Sequence, residues 1–137
     1  MKKSILCIFA LLLMMAVHAQ EKNYKVVFDM SSKDTINQQS VTREIGLIKG
    51  ASPEAKLEVV VYGQGLDLVV KGHSSQQAAV EQLIADNKAS FKVCAMTLKR
   101  NNLTKDQLVP GVEVVPDGIY EIISKQRDGW GYIKVGH

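Results

Sequence analysis

The residue with the most chemistry is Cys94, in the stretch FKVCAMTL (91–98), where a thiol closes the strand-like segment ASFKVC and Ala95-Met96-Thr97-Leu98 enters a helical turn. At such a place the N–H groups of a helix start and the helix dipole favour thiolate over thiol. A terminal dipole contributes only about 0.3–1 kcal/mol, whereas one pKa unit corresponds to about 1.4 kcal/mol, so strong activation needs a further donor or cation. Thr97, Lys99, Arg100 and His73 are the side chains of suitable type. The competing reading is inert packing, because free cysteine is among the most buried residue types and fills strand ends as a small apolar group. Alternation tilts toward reactivity: Phe91, Val93 and Ala95 share one face, leaving Cys94 with Ser90 and Lys92 on the other. A reactive Cys94 requires a sulfur that solvent can reach.

Other residues invite chemistry less strongly. Gly63-Gln64-Gly65 lacks the third glycine of a dinucleotide fingerprint, since Leu68 stands there, and no Lys-Ser/Thr pair of a P-loop follows. A tight strand exit with room for a ligand or a neighbouring backbone fits it better. His73, in a Gly-His-Ser loop, is a solvated histidine or a proton donor beside Cys94. Asp29 caps the next loop or hydrogen-bonds a ligand. One mature cysteine and scattered histidines give no metal-ligand spacing, so neither a metal nor a cofactor is expected.

These residues have to be positioned by strands and helices in alternation. Apolar and β-branched runs at 24–29, 57–62, 89–94, 112–115 and 130–135 predict five strands. Val41, Ile45 and Ile48 predict a helix over 35–49, capped by Ser31 with Asp34 and stopped by Gly50 and Pro53. Ser74 or Ser75 caps a second helix carrying Ala79, Val80, Leu83 and Ile84. Thr104 and Gln107 have capping-box spacing, and Asp117 opens a further helix closed by Gly129. Strands separated by helices predict a three-layer α/β sandwich on a five-stranded, mainly parallel sheet. Ligands of such sheets bind outside the carboxyl ends of the strands, where Asp29, Gly63, Cys94 and Pro116 fall.

The beginning of the chain predicts export. Lys2 and Lys3 precede an apolar run over 4–17, and Val17-His18-Ala19 has the form of a cleavage site, so residues 1–19 read as a secretory signal peptide and 20–137 as a single domain. The apolar run is too short for a membrane anchor. Cys7 leaves with the signal, and the lone Cys94 is then buried, reactive or paired with another chain. With Lys2 and Lys3 removed from 17 basic residues against 14 acidic ones, the mature charge is near +1, and nothing recruits nucleic acid or a membrane surface.

Four stretches carry a resemblance: KVVFD, LEVVVYGQGLDLVV, FKVCAMTL with its cysteine in a V-C-x-x-T-L setting, and LVPGVEVVPDGIYEIISKQRDGWGYI. Together they resemble the DsrE/DsrF-like family of small sulfur-relay proteins, from about Tyr24 to Val135. The resemblance implies one compact parallel α/β layer that assembles into trimers or hexamers. It also implies that Cys94 accepts sulfane sulfur as a persulfide from a donor protein and hands it to an acceptor. Gly63, Gly65 and Thr97 would shape the pocket, with Pro116 and Asp117 at its border, in a periplasmic or secreted protein. The alternative from the residues alone is a noncatalytic oligomeric binding module with a packed Cys94.

Overall fold

The computed structural model describes residues 24–136; the expected signal peptide lies outside them. Five strands, β1 (Lys25–Met30), β2 (Lys56–Val61), β3 (Ser90–Cys94), β4 (Glu113–Val115) and β5 (Gly131–Val135), form one sheet in the order β4-β3-β2-β1-β5. All four pairings are parallel, so the sheet is wholly rather than mainly parallel. Helices α1 (Thr35–Ala51), α2 (Gln77–Ala85), α3 (Ala95–Arg100) and α4 (Gly118–Arg127) connect the strands, with a 3₁₀ segment (Gly63–Val69) after β2.

The two faces of the sheet are covered unequally. One face buries Phe28, Met30, Val59, Val61, Phe91 and Val93 in a large core with Val41 and Ile45 of α1, Val80 of α2 and Leu68 of the 3₁₀ segment. Each such side chain contributes roughly 1.5–3 kcal/mol by leaving water. The opposite face is covered by α4, whose Ile122 packs on a small apolar seat of Val27 and Val60, flanked by Tyr62 and Trp130. This asymmetry follows from the sequence. Helices that follow β1, β2 and β3 lead one way across the sheet, and the single crossover from β4 to β5 returns along the other face, as right-handed connections require.

Local signals fix the helix ends, with two corrections. Asp34 alone caps α1, its side chain accepting from the Ile36 N–H at 2.8 Å, while Ser31 takes no part. Neither Ser74 nor Ser75 caps α2, whose first flanking residue is Gln76. Ser74 Oγ instead accepts from the Gln76 N–H and closes the turn before the helix. The capping box at Thr104 and Gln107 is formed, around a single 3₁₀ turn (Lys105–Gln107). Asp117 caps α4 by accepting from the N–H groups of Ile119 and Tyr120 at 2.9 and 3.2 Å.

Candidate functional site

Cys94 ends β3 and is the residue from which α3 starts. The alternation of β3 (SFKVC) leaves the thiol on the face opposite Phe91 and Val93, near Val60 of β2 and Tyr62 just past it and under the first turn of α4. The start of α4 comes very close. A Cβ on Gly118 would lie 3.2 Å from Cys94 Cβ, 3.3 Å from Val60 Cγ1 and 3.5 Å from Tyr62 Cβ. Only a glycine lets this backbone rest on the thiol without displacement.

The sulfur is therefore covered. Cys94 is only 4% exposed, which corrects the expectation of a thiol open to solvent at the sheet edge. The physical reason is α4, whose path over this face was not readable from the alternation within β3. The cover is not wholly apolar, however. Burial pushes the Cys94 thiol up, but the N–H groups of Gly118, Thr97 and Met96 and the Thr97 hydroxyl together outweigh it and hold the thiol below its ordinary value of 9.0. The α3 amides make no formed hydrogen bond to the neutral thiol, as expected of so weak an acceptor. A thiolate would draw them in.

Thr97 ties the thiol to the exit of β2. It is buried, and its Oγ1 accepts from the Gly63 N–H at 3.0 Å, which leaves the hydroxyl proton for the sulfur. Gly63 has φ +56, and Gly65 lies against the carbonyl of Met30 at the end of β1, so both glycines shape the turn that places Thr97's partner. Cys94, Thr97, Gly63 and the Asp117 cap of α4 thus form one group, with Gly65 behind it. Pro116 precedes that cap in the chain, between β4 and α4.

Two expected site residues stand apart. His73 Nδ1 lies 3.9 Å from Asp67 at an exposed position and is not among the groups acting on Cys94. Asp29 is neither a cap nor open to solvent: it is 5% exposed, its Oδ2 accepts from the Tyr132 hydroxyl at 2.6 Å and lies 3.5 Å from Lys134 Nζ. That hydrogen bond, with burial and the carboxylate charge, pushes the Tyr132 phenol up to about 12. Burial and the Asp29 carboxylate also raise the Tyr62 phenol. Asp29 thereby organises two tyrosines on the face that carries Cys94. Sequence reasoning did not single out Gly118 or Tyr62. A glycine directly after a capping aspartate, where a better helix former would serve, was the available signal for the first.

No His/Cys/Asp/Glu cluster suited to a metal ion occurs among the described residues, and no helix among them is long and apolar enough to cross a membrane.

The sequence profile of the DsrE/DsrF-like family matches residues 10–135, and the chain belongs to that family. Among solved structures, the chain is similar to a protein of unknown function, MTH1491 from Methanobacterium thermoautotrophicum, at 27% identity and a TM-score of 0.76, covering 81% of this chain and 98% of that one. It is also similar in fold to the YchN protein of E. coli, at 10% identity and a TM-score of 0.68, covering 82% and 98% respectively. No curated protein matches the chain.

Proposed function

We propose that this protein is an exported, homo-oligomeric sulfur carrier in which Cys94 holds sulfane sulfur as a persulfide. The observation that carries this reading is the convergence of three backbone N–H groups and one hydroxyl on a single free thiol, which lowers its pKa despite burial. Membership of the DsrE/DsrF-like family supports it. The Cys94 thiolate attacks the outer sulfur of a donor persulfide (R–S–SH), the donor S–S bond breaks, the donor leaves as a thiolate, and the proton of the transferred sulfur passes to solvent, so that Cys94 becomes the persulfide anion. An acceptor thiolate takes the sulfur by the same step, so neither an oxidant nor a reductant is consumed. The donors that favour the thiolate also favour the persulfide anion; α4 covers the sulfur against stray thiols and has to move aside when a donor or acceptor docks.

The expectation of export rests on the charged and apolar pattern of residues 1–19. Assembly into trimers or hexamers is supported by Ile119, Tyr120 and Ile123, which α4 leaves exposed, and by Tyr132 of β5, also exposed.

The test is intact mass after incubation with inorganic polysulfide. Wild type is expected to gain sulfur that dithiothreitol removes, and Cys94→Ser to gain none. Equal uptake by both, or none by wild type, overturns the proposal. The burial of Cys94 favours one second reading, a noncatalytic oligomeric binding module with a packed cysteine. In that case wild type gains no sulfur and its thiol resists alkylation in the folded state.

A further inference from the structure

The helix that covers Cys94 is held at its other end by a buried ion pair. Glu58 interrupts the apolar run of β2 and is 2% exposed. Its Oε2 lies 3.0 Å from Lys125 Nζ of α4 and accepts from Ser90 Oγ at 3.2 Å, whereas Oε1 has no partner among the described residues. Lys125 also lies 3.6 Å from Glu121, one turn back on α4, and its ammonium sits 4.6 Å from the centre of the Trp130 ring. Between α4 and the sheet the buried apolar contact is only Val27 and Val60 against Ile122 of the helix itself. On so small a seat, an uncompensated charge beneath the helix is enough to lift it.

We infer that Lys125 is a positioning residue for Cys94: by pairing with the buried Glu58 carboxylate it lets α4 stay seated, so that Gly118, at the opposite end of the helix, covers the thiol and presents its N–H to the sulfur. The inference rests on the reading of Cys94 as a working thiol.

The two partners are not equivalent. The Glu58 side chain is 3% exposed and that of Lys125 22%. Removing Lys125 strands an anion under the helix, the costlier way to break a buried pair, and α4 must lift to hydrate it. Neutralising Glu58 leaves Lys125 with Glu121 and solvent, and α4 stays down. Neutralising both restores an uncharged seat.

The pH dependence has a definite sign. Glu58 is faced by Lys125 and Glu121 from α4; by register Lys92 of β3, paired with Glu113 of β4, and Lys25 of β1, whose Nζ reaches the Asp128 carbonyl, lie on the same sheet face. Lys56 shares its face of β2. Burial, opposed by the Lys125 ammonium, holds the Glu58 carboxyl above its usual 4.5. The seated helix therefore binds that proton more tightly than a lifted one. The Glu58 contribution to seating is fully present below 4.5 and is lost as pH rises through the raised value.

The experiment uses the full chain and two readouts: the midpoint of Cys94 thiolate absorbance, with the Cys94→Ser form of each variant as blank, and hydrogen-exchange protection of the Ile119 and Tyr120 amides. Lys125→Met is expected to raise the midpoint, to lower the thiolate fraction at pH 7 about tenfold, as loss of one donor to a charged acceptor does, and to lower protection of both amides. Protection in that variant recovers as pH falls from 7 toward 4.5. Glu58→Gln, the double variant Glu58→Gln/Lys125→Met, and Lys125→Arg are expected to stay near wild type in both readouts. A pair with a merely structural role lowers Tm and leaves the midpoint of folded molecules unchanged, so an unmoved midpoint in Lys125→Met overturns the inference. So does failure of the double variant to restore it, or a shifted midpoint in Glu58→Gln, and these two outcomes decide the matter should Lys125→Met not fold. None of these readouts needs a sulfur donor. A chain that takes up no sulfur yet follows this pattern refutes the carrier and keeps the latch.

Discussion

Gly65→Ala is expected to lose about 3 kcal/mol of folding stability, at the upper end of what overpacking costs. A Cβ at this position would lie 2.5 Å from the Met30 carbonyl oxygen, 3.0 Å from its carbon and 3.2 Å from Ser31 Cα. All three are backbone atoms at the end of β1, in the middle of the sheet, and cannot rotate away as a side chain would. The 3₁₀ segment must instead move off β1, which disturbs Leu66, Leu68 and Val69 in the main core. The same displacement carries Gly63 and its N–H away from Thr97 Oγ1, so the variant couples a stability loss to a weakened site. Urea unfolding checks the first effect, and a loss below about 1 kcal/mol would show that the segment accommodates a methyl group, contrary to this packing. Gly63→Ala makes the contrast: nothing lies within 4 Å of its Cβ position, and only its φ of +56 is strained. It is expected to cost about 1 kcal/mol.

Thr97→Val is expected to slow alkylation of Cys94 by iodoacetamide at pH 7 roughly tenfold, with little change in shape. The hydroxyl both accepts from Gly63 and acts on the thiolate, and Val keeps the volume while removing both roles. A hydrogen bond to a charged acceptor is worth about 1.5 kcal/mol or more, and about 1.4 kcal/mol corresponds to a factor of ten. Stability is expected to fall by only about 1 kcal/mol, because the stranded Gly63 N–H is at an exposed position and finds water. Thr97→Ser, which keeps the hydroxyl, should alkylate within about twofold of wild type. Equal rates for Thr97→Val and wild type would mean that the hydroxyl does not act on the sulfur.

The architecture was legible where the signals are local. LEVVVY is apolar and β-branched but for Glu58, and its strand is buried on both faces. The Asp117 cap and the Thr104–Gln107 box were readable because a cap is decided within four residues. Where several polar residues competed for one cap, the spacing misled: Asp34 needs no help from Ser31, and Gln76 rather than a serine precedes α2. The site was legible as a position but not as an environment. Cys94, Thr97 and Gly63 were expected together, and a hydrogen bond joins Gly63 to Thr97. The cover over the sulfur comes from Gly118, 24 positions away, and it depends on which face the last crossover takes. The tyrosines around Asp29 come from the exit of β2 and from β5, and no spacing in the chain announces that meeting. Glu58 was not singled out from the sequence, although one acid in an apolar run is a local conflict of the kind that marks a special site. Its partner could be named only once α4 had been laid across the sheet.

The central claim is that Cys94 gives up its proton more readily than an ordinary thiol although it is covered. The most direct measurement is its thiolate absorbance against pH in the folded chain, with Cys94→Ser as the blank so that Cys7 cancels. The account predicts a midpoint below 9.0, because the donors of Gly118, Thr97 and Met96 outweigh burial. A midpoint at or above 9.0 would contradict it, since burial would then prevail and the cysteine would be packing.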